Sequence, residues 1–409
     1  MSKYFPIQSE TACKLKWGWS TLYLNSGSTA SCHRASFSDL SLENFNNFHN
    51  TEVKVAAREL MLKGQWPGNG CEYCQGIEQA GGSSDRMLQN SIPGLFSDQP
   101  GTVVDPAILE VYFNNTCNLA CLYCRPDLSS LIDQENNKFG VFDHGGVRLE
   151  PLNQKHVQEL EPAFWAWAAD NFHQLERFHF LGGEPFYQKQ FDKFLDFVDQ
   201  HPAPNCEFNI VTNLMVPTAT LKNKLDTIKL MMSQRKLKRF DITVSIDCWG
   251  PQQEYVRYGL DLNTWLENFT LLLNQKWIKL NINQTISALT IKTMPELIGR
   301  LNEWRTVRPI GHYFSVTEPG PSYLRPNILG PYVFDKDFDL VLNLMPNNTQ
   351  DEQRARQYMS GIANEINSSS INFEEVAKLF VFLNEKDRRR GTNWQDLFPW
   401  LTQFKNYVV

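Results

Sequence analysis

No run of about 18 uncharged apolar residues occurs in the chain, which excludes a bilayer-crossing helix. Its start, Met1-Ser2-Lys3-Tyr4-Phe5, lacks a basic region followed by an apolar one, so no secretory signal is expected. The expectation is a cytoplasmic protein with no membrane partner. Charge of one sign is also scarce. The 39 lysines and arginines against 45 aspartates and glutamates leave a formal charge of -6. Nothing therefore drives the whole molecule toward nucleic acid. Long-period repeats and low-complexity tracts are lacking, which excludes a solenoid or a disordered array. What is present is 409 residues with 42% hydrophobic and 12% aromatic side chains. That is enough for two or three domains at roughly 150 residues each. Nine cysteines in a reducing compartment do not make a disulfide framework, and an odd count fits one worse. Metal ligation or catalysis is the reading to pursue.

Seven cysteines cluster by spacing. Cys13, Cys32, Cys71 and Cys74 lie in the first hundred residues, and Cys117, Cys121 and Cys124 form the run Cys-Asn-Leu-Ala-Cys-Leu-Tyr-Cys. Three thiolates so close, on a loop after an apolar strand, can hold one face of an iron-sulfur cube and leave its fourth iron open. The same clustering also suits a zinc site with a distant fourth ligand. Further on, Gly182-Gly183-Glu184-Pro185 follows the strand-like Arg177–Leu181. Two glycines permit close backbone approach to a ligand, and a carboxylate beyond them can pair with an ammonium.

These two elements resemble the radical S-adenosylmethionine family. Its signature is Cys-x3-Cys-x2-Cys with an aromatic residue before the last cysteine, here Tyr123, and its Gly-Gly-Glu motif binds the amino group of the methionine moiety. The resemblance implies a 4Fe-4S cluster on Cys117, Cys121 and Cys124. It also implies S-adenosylmethionine held with the help of Gly182, Gly183 and Glu184.

From about residue 105 short apolar strands alternate with helical patterns, the arrangement of a parallel sheet wound through crossovers. Strands are expected over 107–113, Arg177–Leu181, 207–212, 240–246, 280–286 and 312–316, with helices over 188–200, 221–232, 264–275 and 295–305. Six units are too few for a closed eight-fold barrel. They match the (β/α)6 partial TIM barrel of the family, in which sites collect at the C-terminal strand ends. Ser245-Ile246-Asp247-Cys248 sits at such an end and resembles the segment lying near the ribose in relatives. Arg257 can pair with Asp247 and hold the methionine moiety. A serine or aspartate there also caps a turn, and arginine is ordinarily a surface residue. Cys248 has the chemistry of a hydrogen-atom donor, as in peptide epimerases of the family, although a packed cysteine is the commoner use.

Cys13-x18-Cys32-x38-Cys71-x2-Cys74 supplies four thiolates, a complete shell suited to electron transfer or structure. Residues 17–27 alternate up to an Asn-Ser-Gly turn and read as a hairpin, and 53–62 reads as a helix. The region resembles the twitch domain, the shortened relative of the SPASM domain, implying a second, auxiliary 4Fe-4S cluster. In better-known members that domain follows the barrel, whereas here it precedes it. A structural zinc ribbon is the alternative. The polar segment from Glu78 to Arg86 lines the site or leads as a linker to Pro93-Gly94. The domains expected are 1–103 (auxiliary cluster), 104–330 (partial barrel) and 331–409 (a mostly helical extension packed on the barrel).

The resemblance implies an oxidoreductase or maturase that cleaves S-adenosylmethionine and abstracts a hydrogen atom from a peptide or protein, giving oxidation, cross-linking or epimerisation. A flavodoxin- or ferredoxin-type protein would be the reductant. A dehydrogenase of a small molecule such as an aminosugar or nucleoside is the nearest alternative. A zinc-binding interaction module is the alternative from another class. Cys206 reads as core. The seven lysines and arginines of 222–239 and the triplet Arg388-Arg389-Arg390 read as solvated faces.

Overall fold

The computed structural model describes residues 9–92, 101–141, 154–317 and 321–407. The opening residues 1–8 and Pro93-Gly94 lie outside them. The chain begins with α1 (Lys14–Gly18), β1 (Trp19–Tyr23), β2 (Ser28–Ala30), β3 (Ser38–Asp39), α2 (Glu52–Leu62), α3 (Glu72–Gln79) and α4 (Asp85–Ser91). It continues through β4 (Ile108–Tyr112), β5 (Ala120–Cys121), α5 (Ser130–Phe139), α6 (Gln154–Asn171), β6 (Arg177–Leu181), α7 (Lys189–Gln200) and β7 (Ala203–Thr212). Then follow α8 (Thr218–Ser233), β8 (Leu237–Ser245), α9 (Pro251–Val256), β9 (Arg257–Tyr258), α10 (Leu262–Leu273), β10 (Lys279–Ile286), α11 (Met294–Val307) and β11 (Gly311–Val316). It closes through α12 (Asp335–Leu344), α13 (Gln350–Ser368), α14 (Phe373–Arg390) and α15 (Trp394–Leu397). This is a mixed α/β architecture, and each of the six expected strands is present. Among the described residues no helix is long and apolar enough to cross a membrane.

Two compact units divide the chain. The first takes Met1–Asn115, Leu152–Ile210 and Asn223–Asp241, and the second takes Thr116–Pro151, Val211–Lys222 and Ile242–Val409. In the first, the strands run in the order β3-β2-β1-β4-β6-β7, continuing into the first part of β8. The β4–β6 and β6–β7 pairs are parallel. Alternation along β6 sends Phe178 and Phe180 to one face, where they meet Phe113, Phe164, Phe191 and Phe194 in close ring contacts. Helix α7 presents Phe191, Phe194, Leu195 and Val198 to this core because they recur at helical spacing along one face.

The hairpin expected over 17–27 exists as β1 and β2, joined through the 24–27 turn. It does more than close on itself. β1 lies parallel to β4, Trp19 opposite Ile108 and Tyr23 opposite Tyr112, so the cysteine-bearing front of the chain extends the sheet. In the basic run of 222–239, Lys222, Lys229, Arg235 and Lys238 are exposed, as a solvated face requires, and four of the seven cations are also paired. Lys224 pairs with Asp192, Lys236 with Asp199, and Lys238 and Arg239 with Glu207.

In the second unit the last part of β8 is followed in the sheet by β10 and β11, the latter two parallel. The closing helices share one apolar core with α11, built from Ile298, Phe338, Val341, Ile362, Leu379 and Trp394. The arginine triplet corrects its expectation as a solvated face. Only Arg388 is exposed, while Arg389 and Arg390 are buried on α5 residue Glu135.

Candidate metal and cofactor sites

The loop carrying Cys117, Cys121 and Cys124 belongs to the second unit and is fixed at several points. The Cys117 amide donates to Ser130 Oγ at 3.1 Å, and that hydroxyl donates to the Cys117 carbonyl at 3.2 Å. Ser129 Oγ donates to the Leu119 carbonyl at 2.7 Å. β5 pairs antiparallel with β9, setting Ala120 opposite Tyr258 and Cys121 opposite Arg257. Two sulfurs then receive nitrogen donors. Asn213 Nδ2 lies 3.8 Å from Cys117 Sγ, and Arg257 Nη1 lies 3.9 Å from Cys121 Sγ. Burial pushes the Cys121 and Cys124 thiols up, and at Cys121 the charges of Arg257 and Arg390 oppose that push. Metal ligation displaces the thiol protons.

Asp247 anchors the wall beside this loop and is fully buried. Its Oδ2 accepts from Arg257 Nε at 2.8 Å and from Tyr123 Oη at 2.6 Å, and its Oδ1 accepts from Arg257 Nη2 at 2.9 Å and from the Thr285 amide at 2.8 Å. Both oxygens are thus engaged by protein donors. The Arg257 guanidinium also lies 5.4 Å from the Tyr123 ring centroid. Burial disfavours the Arg257 charge, but Asp247, Tyr123 and Cys121 together outweigh it and hold the guanidinium firmly ionised. Burial likewise pushes the Tyr123 phenol far up. Gln253 was not singled out by the sequence. Its Oε1 accepts from the Asp247 amide at 3.0 Å and the Cys248 amide at 2.9 Å, shaping the turn after β8. Ser245 and Cys248 are both buried. Burial drives the Cys248 thiol strongly toward its neutral form.

Gly182-Gly183-Glu184 belongs to the first unit and follows β6. Gly182 adopts φ +90°, and a Cβ there would stand 2.6 Å from the Asn114 carbonyl oxygen, so the loops after β4 and β6 approach as only glycine permits. The Glu184 side chain is fully buried and accepts from the Phe186 amide at 3.3 Å. Gln188 Nε2 donates to the Gly182 carbonyl, closing the turn.

The four front cysteines also belong to the first unit and line one cavity of about 180 Å³ with Trp66, His33 and Arg86. Each arrives on a different local support. Cys13 precedes α1, Cys32 follows β2, Cys71 precedes α3 and Cys74 lies in the first turn of α3. Gly70, at φ +90°, brings two of these segments together. A Cβ there would fall 1.7 Å from the Arg34 carbonyl oxygen, beside Cys32. Burial raises Cys13 to about 12 and also raises Cys71. The segment from Glu78 closes one side of the cavity, where Arg86 pairs with Glu78 and donates to the Ala12 carbonyl.

Each donor set is all thiol, and four of the seven sulfurs share one lined cavity. Among the described residues, no three His, Cys, Asp or Glu side chains converge closely enough for a single metal ion. Thiol donors of this kind suit a zinc ion or an iron-sulfur cube, the two alternatives the cysteine spacing leaves open.

No protein-family model matches the chain, and no curated protein matches it. Among solved structures it is similar to Streptococcus suis SuiB bound to precursor peptide SuiA, with 16% identity and a TM-score of 0.33 over 72% of this chain and 60% of that one. It is also similar to Streptococcus suis SuiB, with 15% identity and a TM-score of 0.32 over 65% of this chain and 56% of that one. The chain therefore spans less than two thirds of either SuiB chain.

Proposed function

We propose that the protein is a radical S-adenosylmethionine enzyme acting on a peptide or protein substrate, with oxidation, cross-linking or epimerisation as the outcome. The observation that carries this reading is the Cys117–Cys121–Cys124 loop, fixed at both ends, with an amide and a guanidinium directed at two of its sulfurs. The Gly-Gly-Glu turn after β6 adds the second motif of the same family. When bound, the cluster and S-adenosylmethionine supply reductive cleavage of the sulfonium and hydrogen-atom abstraction from carbon.

The chain's own residues hold and orient. Cys117, Cys121 and Cys124 ligate one cluster. Glu184 offers a buried carboxylate to an ammonium, with Gly182 and Gly183 permitting close approach. Ser245 lies at the end of β8, where a ribose hydroxyl is expected. Asp247 acts through Arg257 and Tyr123, because all of its strong acceptor positions are already filled. Cys13, Cys32, Cys71 and Cys74 ligate an auxiliary 4Fe-4S cluster in a partial-barrel and twitch-domain organisation. A peptide is the substrate class because relatives with twitch or SPASM domains mostly modify peptides, and a flavodoxin- or ferredoxin-type protein is the expected electron source.

The test is anaerobic incubation with S-adenosylmethionine and dithionite. The wild type should form 5'-deoxyadenosine, and the Cys117/Cys121/Cys124 triple alanine variant should form none. Cleavage that survives loss of the three cysteines would overturn the assignment.

A further inference from the structure

Helix α14 ends in a charge imbalance. It starts at an Asn372 cap and stops at Gly391 in the left-handed conformation, so its last turn is Arg388-Arg389-Arg390. Arg388 is 58% exposed and paired with Glu385. The side chains of Lys386, Arg389 and Arg390 are only 1%, 3% and 3% exposed. All three address one carboxylate, Glu135 of α5. Arg390 Nε lies 2.8 Å from its Oε2, Arg389 Nη1 lies 3.7 Å from its Oε1, and Lys386 Nζ bonds Oε1. Arg389 has further partners in Glu385 and the Gly140 carbonyl. Both Nη groups of Arg390 are buried and make no hydrogen bond among the described residues. Lys386 and Arg390 thus rest on one buried acid, Glu135, while Arg389 is shared between Glu135 and Glu385.

A buried surplus of positive charge is unfavourable unless an anion stands near it. Burial, followed by the Arg390 charge, brings Lys386 down to about 8. The place where it sits supplies the candidate anion. The Arg390 guanidinium lies 4.7 Å from the Tyr258 ring centroid, and Tyr258 pairs with Ala120, next to Cys121. Glu135 belongs to the helix whose first residue, Ser130, grips Cys117. The cationic knot is therefore clipped to the back of the three-cysteine loop. A thiolate-ligated cluster is anionic and gains one more negative charge with each electron, and nearby charge sets its potential.

We propose that Arg390, with Lys386 and Arg389 and held through Glu135, is the counter-charge that raises the reduction potential of the cluster carried by Cys117, Cys121 and Cys124. This rests on the cluster assignment made above. Arg390 is a positioning residue that acts by field and by bracing the loop. The last turn of α14 thereby tunes how readily a flavodoxin- or ferredoxin-class donor delivers its electron. Reduction adds one electron to the cluster and neither forms nor breaks a bond.

The test is a redox titration of the anaerobically loaded full chain, followed through the part of the paramagnetic signal that S-adenosylmethionine perturbs. Arg390→Gln should lower the reduction equilibrium at least tenfold, about 59 mV for one electron. Glu135→Gln, which removes a negative charge, should move the potential the opposite way, and Arg390→Lys should stay near the wild type. If Arg390→Gln loses its iron, the upward shift in Glu135→Gln decides the matter. Loosened packing cannot produce opposite signs. Iron-loaded variants whose potentials stay fixed, or all move together, would overturn the inference and leave the proposed function standing. A wild type without iron would instead overturn the cluster assignment itself.

Discussion

Asp247 shows how far a single buried carboxylate can organise a site. Four protein donors converge on its two oxygens, and two come from Arg257, ten residues downstream. Removing one partner of such a pair leaves the other charged and dry. Asp247→Ala should therefore destabilise the fold by about 3–5 kcal/mol in urea unfolding. Adding Arg257→Met should recover part of that loss, because the orphaned cation is then gone. The Arg257 pairing was legible in the sequence from its position past a strand end. The Thr285 amide was not, since it arrives from β10 and no local pattern announces it. Gly182→Ala places a methyl 2.6 Å from the Asn114 carbonyl oxygen at φ +90° and should cost about 1–3 kcal/mol, read by the same unfolding.

His312 sets a pH dependence at the same scale. Its Nε2 meets Gln284 Oε1 at 2.9 Å, and burial, then Arg305, lower its pKa from 6.5 to about 3. The unfolded chain binds the proton first as pH falls, so stability should drop progressively from pH 6.5 down to about 3 and be restored above 6.5. The slope from one such group is about 1.4 kcal/mol per pH unit. His312→Gln should remove that share of the slope in urea unfolding at stepped pH, leaving the shares of the buried His49 and His179, which burial also lowers.

At the scale of elements, periodicity was enough for β4, β6, β7, β8, β10 and β11, because apolar residues run together along β4 and alternate along β6 and β11 at strand spacing. It was enough for α7, whose buried face is strictly periodic. It failed for α6, where Pro162 interrupts the pattern. It also failed for the partner of β1. Alternation predicts a strand, but a parallel neighbour some ninety residues later is a tertiary choice. The arginine triplet misled for a related reason. A charge run at a helix end is normally solvated, and Glu135, which buries this one, lies far back in the chain. Loop geometry supplies a prediction here. Gly70→Ala forces the Cys71 segment away from the Cys32 segment. The variant should bind about half the iron of the wild type after anaerobic loading, retaining the cluster on Cys117, Cys121 and Cys124.

For the whole molecule, the first compact unit carries Cys13, Cys32, Cys71 and Cys74 and the second carries Cys117, Cys121 and Cys124. Cysteine spacing marks both groups in the sequence, since a loop of three and a set of four suit different ligation needs. The cavity shared by Cys13, Cys32, Cys71 and Cys74 was not predictable from spacing alone, because Gly70 and the Glu78–Arg86 pair shape it. Cys206 and Cys248 stand outside both groups as buried side chains. The most direct measurement is the iron and zinc content of protein purified and loaded without oxygen. About eight irons are expected for the wild type and about four each for the front-cysteine and loop-cysteine alanine variants. Zinc at one or two ions per chain, with no iron retained, would contradict the cluster assignment.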